Sequence, residues 1–124
     1  MYKRQLYHGA SHGIGYALGA GFGVPHGHTS CVMLPAVMQW NAETLGDRYQ
    51  ALATAMGKPD EPAWKSVREL IRGLGMPCTL RDVGLKRDQL DELSRRALDY
   101  QPVILNPRKI ETAAVVMEIL EIAY

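Results

Sequence analysis

Residues 9–28 read Gly-Ala-Ser-His-Gly-Ile-Gly-Tyr-Ala-Leu-Gly-Ala-Gly-Phe-Gly-Val-Pro-His-Gly-His, and this stretch decides how the first third of the chain folds. We predict a helix over about residues 11–22, although each interior glycine weakens a helix by about 1 kcal/mol relative to alanine. A turn follows at 23–26, and a second helix is predicted over 27–40 with a bend near Pro35. Glycines that are tolerated inside a helix indicate that another backbone comes close to it.

The glycines also suggest where that close approach occurs. Gly15, Gly19 and Gly23 lie four residues apart, so on a helix they would line one bare groove for another helix or a flat ligand. The run Gly13-x-Gly15-x-x-x-Gly19 is not a dinucleotide fingerprint, because no hydrophobic strand precedes it and the third glycine has the wrong spacing. We therefore interpret these glycines as helix-packing positions.

The rest of the chain, from residue 42 onward, has the pattern of a helical scaffold. Apolar residues recur at helical spacing in four segments, over about 45–56, 64–74, 90–98 and 116–123. No segment shows sustained alternation of apolar and polar residues, although 102–105 is predicted as one short extended piece. The connections are short and contain Gly or Pro, so the predicted fold class is all-α, a helix bundle.

Composition excludes several classes of protein. The chain has 124 residues, 47% hydrophobic and 22% charged, which suits one globular domain and not a disordered or coiled-coil protein. Its net charge of +1 offers no broad field for nucleic acid, and no apolar run reaches the roughly 20 residues that cross a membrane. Cys31 and Cys78 form no CxxC pair and no disulfide framework, so we predict a cytoplasmic location.

All four histidines lie within the first 28 residues, and their spacing predicts a site. His8, His12 and Tyr16 are spaced i, i+4, i+8, which puts them on one helix face, and the turn brings His26 back toward them. Neutral imidazoles are common ligands of zinc and iron, and two ligands with open positions suit a catalytic metal. No carboxylate precedes Glu43, so any anionic ligand must come from elsewhere.

Ordinary structural roles remain open for the same residues. An exposed surface position fits His8, and a position at a helix start fits His28. The Tyr16 ring can be a packed aromatic with a satisfied hydroxyl.

The stretch 9–28 resembles the second histidine signature of the iron-containing (group III) alcohol dehydrogenases, whose wider group includes the maleylacetate reductases. The histidine signature is specific, and the later motifs support the register of the alignment over residues 9–124. These later motifs are Val32-Met-Leu-Pro35, Trp40-Asn41, Gly75-Met-Pro77, Leu80-Arg-Asp-Val-Gly84 and Asn106-Pro-Arg108.

The resemblance implies a domain organisation. Family members have an N-terminal α/β domain that binds NAD or NADP and a C-terminal all-helical domain, with the metal in the cleft between them. This chain resembles the latter half of the helical domain only. We therefore expect a single truncated domain over 1–124, with a foreign start at 1–8, the histidine and glycine site region at 9–41, the scaffold at 42–124, and no nucleotide-binding domain.

The resemblance also implies site residues. The family's metal histidines fall on His12 and His26, and its other two ligands, an aspartate and a histidine, have no counterpart here. The family commonly has a further histidine near the nicotinamide, where this chain has Tyr16, so Tyr16 becomes the candidate catalytic and cofactor-binding residue. The implied metal is divalent, Fe²⁺ or Zn²⁺, and NAD or NADP would bind through the absent domain.

The implied function is hydride transfer between a small alcohol or carbonyl substrate and the nicotinamide, with the metal as Lewis acid. The isolated chain is expected to be inactive, to need a missing N-terminal domain or to self-associate, and to expose apolar patches around the glycine groove. Two alternatives stay open: a fragment of a metal-independent enzyme of the maleylacetate reductase type, and a stand-alone helical metal binder that uses all four histidines.

Overall fold

The computed structural model describes residues 8–124, so nearly all of the predicted foreign start at 1–8 lies outside the described residues. Within this range the chain is helical and contains no strand, as the all-α prediction requires. Two short 3₁₀ turns, Arg81–Val83 and Arg87–Gln89, connect the middle helices. The helices are α1 (Ala10–Phe22), α2 (His26–Ala55), α3 (Ala63–Gly73), α4 (Leu90–Ala97), α5 (Gln101–Ile104) and α6 (Ala113–Ala123).

The two helices predicted at the start of the chain, and the turn between them, are confirmed, with one change in α2. Gly23 ends α1 in the left-handed conformation (φ 68°), which favours glycine because it has no Cβ. α2 consists of two helical segments that meet at a kink at Leu45 (φ −116°, ψ 20°), close to where the predicted helices over 27–40 and 45–56 adjoin. Its dihedral angles stay helical at Pro35, where the bend was predicted.

The extended piece predicted at 102–105 is wrong, because α5 is a single helical turn in this region. Pro102 occupies the first turn of α5, where the missing N–H would have no helical partner in any case. Val103 is fully buried against α1, so packing favours a turn that directs this side chain inward.

Two apolar clusters hold the helices together. The main cluster is built largely from α1, the first half of α2, α4 and α6. A second cluster, centred on Met38, Ala53 and Ala63, joins α2 to α3. Among the described helices, none is both long enough and apolar enough to pass through a bilayer.

The close approach to α1 differs from the predicted groove of Gly15, Gly19 and Gly23. A Cβ on Gly13 would lie 2.5 Å from Val103 Cγ2 and 2.8 Å from Val103 N, and one on Gly15 would lie 3.0 Å from Thr29 Oγ1. α5 therefore covers α1 at Gly13, which was not predicted, and α2 covers it at Gly15, which was. The most exposed large apolar side chains are Leu70 on α3, Leu74 just after it and Ile104 on α5.

Candidate metal site

His12 and His26 lie side by side although they belong to different helices. His12 is in the first turn of α1, and His26 is the first residue of α2, after the turn that Gly23 allows. Their ring centroids are 5.5 Å apart and the planes meet at 78°. Two imidazoles that bind one metal at about 2.1 Å must lie this close together. The two predicted histidines are therefore close enough for both rings to reach one ion.

Tyr16 completes one side of this site. It lies one helical turn after His12, so the two side chains share a face of α1. Its ring meets the His12 ring edge-on at 5.2 Å and stacks on the His26 ring at 6.3 Å, with 16° between the planes. The tyrosine is 36% exposed, so it is both accessible and in contact with the two histidines.

His8 and His28 do not join His12 and His26 around one point. The His8 ring lies flat on the His12 ring, with centroids 4.2 Å apart and 11° between the planes. The lone pairs of stacked rings point along parallel planes, so both cannot bind one ion in this arrangement. His28 instead lines a cavity of about 530 Å³ with Phe22 and Met76. In residues 8–124, no three His, Cys, Asp or Glu side chains form a metal-binding group.

The chemistry of the donor pair fits half of a divalent metal site. Burial lowers the pKa of His12, because the charged imidazolium loses hydration, and the nearby His8 and His26 lower it further. A histidine must be neutral to bind a metal, so His12 is held in the form that binds. Imidazole ligands carry no charge, so a divalent cation held by two of them would keep its full charge to act on a substrate.

The lowered pKa of His12 leads to a prediction that NMR can check. We expect the His12 ring to titrate below the 6.5 of an ordinary histidine, and His8→Ala to bring its pKa closer to that value. As pH falls below 6.5, the unfolded chain takes up this proton before the folded chain does, so the fold loses stability across that window. A His12 midpoint at or above 6.5 would contradict the prediction.

Tyr100 is a neighbour of the site that the sequence did not reveal. It precedes α5, and its ring lies 5.8 Å from the ring of Tyr16. No local spacing relates the two residues. The packing of Val103 on Gly13 brings this segment alongside α1 and sets the contact. Tyr100 thus packs beside Tyr16 at the edge of the site.

Asn106 holds the first turn of α1, a role that was also missed. Gly9, the residue before α1, has no side chain with which to cap the helix. Instead, Asn106 Oδ1 accepts a hydrogen bond from the Ala10 amide at 3.1 Å. Asn106 also pairs with Asn41 of α2 in both directions. Both asparagines belong to motifs that were used only to align the sequence with the family. The sequence therefore singled out these two residues, but it did not predict that they cap α1 and pair with each other.

Comparisons with known proteins identify the family of this chain. Residues 4–124 match the model of the Fe-containing alcohol dehydrogenase family, C-terminal part. Lactaldehyde reductase of Escherichia coli K12 is 36% identical over 110 residues, covering 82% of this chain and 29% of that protein. Maleylacetate reductase of Pseudomonas knackmussii is 32% identical over 114 residues, covering 91% and 31% respectively.

A solved structure extends the agreement to the fold. The crystal structure of an iron-containing alcohol dehydrogenase from Corynebacterium glutamicum superposes with a TM-score of 0.76 at 27% identity, covering 93% of this chain and 31% of that one. This chain thus spans about 30% of the length of the relatives it matches. The match to the family model extends over almost all of its residues. The chain belongs to the iron-containing alcohol dehydrogenase family and corresponds to its C-terminal domain.

Proposed function

We propose that this chain is the metal-binding part of an NAD(P)-dependent alcohol dehydrogenase, in which His12 and His26 hold a divalent ion, Fe²⁺ or Zn²⁺. The observation that carries the proposal is the 5.5 Å contact between these two rings, made by side chains from two helices. The family match supports the reaction type, and the relatives named above are a reductase of an aldehyde, a reductase of maleylacetate and an alcohol dehydrogenase.

The chain's own residues have defined tasks in this proposal. A bound divalent ion would supply Lewis-acid polarisation of the substrate oxygen. His12 and His26 bind as neutral imidazoles, and α1 and α2 fix the angle between them. Tyr16, which lies beside both rings, would orient the substrate oxygen or donate a proton to it near the nicotinamide.

The remainder of the reaction requires groups that residues 8–124 do not supply. Two further metal ligands, an aspartate and a histidine, are assigned to an earlier helix of the helical domain, and the binding of NAD or NADP is assigned to the N-terminal domain; this chain spans about 30% of the length of the relatives it matches. The substrate is a small alcohol or carbonyl compound. The 124-residue chain alone is accordingly expected to be inactive, and its partners are that domain or a second copy of itself.

Metal binding by the chain itself tests the proposal. We expect Co²⁺, followed by absorbance and displaced by Zn²⁺, to bind the chain with an affinity that falls at least about tenfold in His12→Ala and in His26→Ala, because each removes one of two ligands. His28→Ala is the matched control, since His28 lies on the same helix as His26 but lines another cavity. Equal affinity in all four proteins would refute the metal site.

A second candidate is a metal-independent reductase of the maleylacetate reductase type. It is favoured by the 32% identity to such an enzyme over 91% of this chain, and by the lack of a third metal ligand beside His12 and His26 among the described residues. In that case the histidines would act directly on an anionic substrate. Chelator treatment of the enzyme complete with its nucleotide-binding domain separates the two: lost activity that iron or zinc restores supports the dehydrogenase, and unchanged activity supports the reductase.

A further inference from the structure

A buried pair of asparagines connects the two helices that carry the histidines. Asn106 is 5% exposed and Asn41 is 4% exposed. Asn106 Nδ2 donates to Asn41 Oδ1 at 2.7 Å, and Asn41 Nδ2 donates to Asn106 Oδ1 at 3.3 Å. The same Asn106 Oδ1 accepts from the Ala10 amide, and Asn106 Nδ2 also donates to the Arg108 carbonyl. We call Asn41, Asn106 and the Ala10 amide the amide clasp.

The amide clasp is satisfied at almost every polar atom, and this determines what happens when a member is removed. A buried amide that loses its partner cannot recover the bond from water, so the neighbouring groups must move or remain unpaired. The start of α1 offers no alternative cap, because Gly9 has no side-chain acceptor and Ala10 is buried away from water. Without Asn106, the Ala10 amide would lose its cap, and the first turn of α1 would shift toward solvent.

The position of His12 depends on that turn. His12 lies two residues after Ala10, and both its own amide and that of Gly13 bond to the Gly9 carbonyl within the same turn. His26 belongs to α2, the helix to which Asn41 anchors the clasp. Gly15 against Thr29 is a second point where α1 and α2 meet. The clasp and this contact together fix how the two rings face one another.

We propose that Asn106, through the amide clasp, is a positioning residue that sets the His12–His26 separation and thereby the affinity of the pair for a metal. Asn106 and Asn41 act through the backbone and touch neither imidazole in the hydrogen bonds described above. This inference rests on the proposed metal site for its consequence in binding, but the geometric part can be tested without any metal.

The experiment compares Asn106→Ala and Asn41→Ala with the unsubstituted chain, using two measurements. The first is the nuclear Overhauser contact between the His12 and His26 ring protons in the metal-free protein, and the second is the Co²⁺ affinity. Val67→Ala is the control, because it weakens the second cluster, where α3 packs on Met38 and Ala53. Free energies of unfolding are measured for all variants so that the comparison is made on folded protein.

We expect the ring contact to be lost and the Co²⁺ affinity to fall about tenfold in Asn106→Ala, with the same direction in Asn41→Ala. Val67→Ala should keep the contact and stay within about twofold of the parent. If Asn106→Ala does not fold, Asn41→Ala decides. A retained contact and affinity in the deciding variant, or an equal loss in Val67→Ala, overturns the positioning role. If the parent has the ring contact but binds no Co²⁺, the proposed metal site is refuted. The positioning role of Asn106 is then decided by the nuclear Overhauser contact alone.

Discussion

Gly13→Ala should lower the free energy of unfolding by about 2 kcal/mol, the cost of overpacking at a site that cannot relax. The added Cβ would lie 2.5 Å from Val103 Cγ2, 2.8 Å from the backbone nitrogen of Val103 and 3.3 Å from the carbonyl carbon of Pro102. A side chain can rotate away, but the backbone of α5 cannot move without breaking its own hydrogen bonds. The loss should therefore exceed the gain of about 1 kcal/mol that alanine brings to a helix.

Gly19→Ala on the same helix is the matched control. Its added Cβ would meet only the Val24 carbonyl oxygen at 3.5 Å, an ordinary contact. We expect this variant to be more stable than the parent by up to about 1 kcal/mol. Denaturant unfolding followed by circular dichroism measures both. If the two variants changed stability in the same direction, the close approach of α5 to α1 at Gly13 would be wrong.

Tyr16→His should raise the Co²⁺ affinity of the chain at least about tenfold, because it places a third tethered imidazole beside the first two. Histidines at i and i+4 on a helix can bind one ion, and position 16 is four residues after His12. The tyrosine ring already lies 5.2 Å from the His12 ring and 6.3 Å from the His26 ring. The replacement therefore needs little movement of the backbone.

Ala20→His is the control for this gain. Ala20 is exposed and lies one further turn along α1, so the substitution adds an accessible histidine. The residue four positions before it is Tyr16 and not His12, so the new histidine has no histidine partner one turn away. We expect no more than about a twofold change in Co²⁺ affinity, measured by the same titration. A gain in Ala20→His as large as that in Tyr16→His would show that any added surface histidine suffices.

Prediction from the sequence was most accurate for structural features that depend on residues only a few positions apart in the chain. The spacing of His8, His12 and Tyr16 placed them on one face, and the Gly-Val-Pro turn brought His26 to that face, because helical geometry and a left-handed glycine act over a few residues. The boundaries of α1 were likewise predicted to within one residue. These local features contain most of the candidate site.

The features that were missed depend on residues far apart in the chain. No periodicity relates Gly13 to Val103, Tyr16 to Tyr100, or Asn41 to Asn106, and each pair is set by how α5 and the segment after it lie on α1 and α2. The glycine groove was only partly correct for the same reason: Gly15 meets Thr29 of α2, but spacing did not show that α5 covers Gly13. The bend in α2 lies at Leu45 and not at Pro35, because a proline does not by itself fix where a helix kinks.

The second cluster has a consequence for how the molecule opens. It shares no buried member with the main cluster, and it joins α3 to α2 through Met38 and Ala53. A small separate cluster of this kind is where local opening costs less free energy than global unfolding. Opening of α3 therefore exposes this cluster without breaking the main cluster, which contains residues of α1 and of the first half of α2.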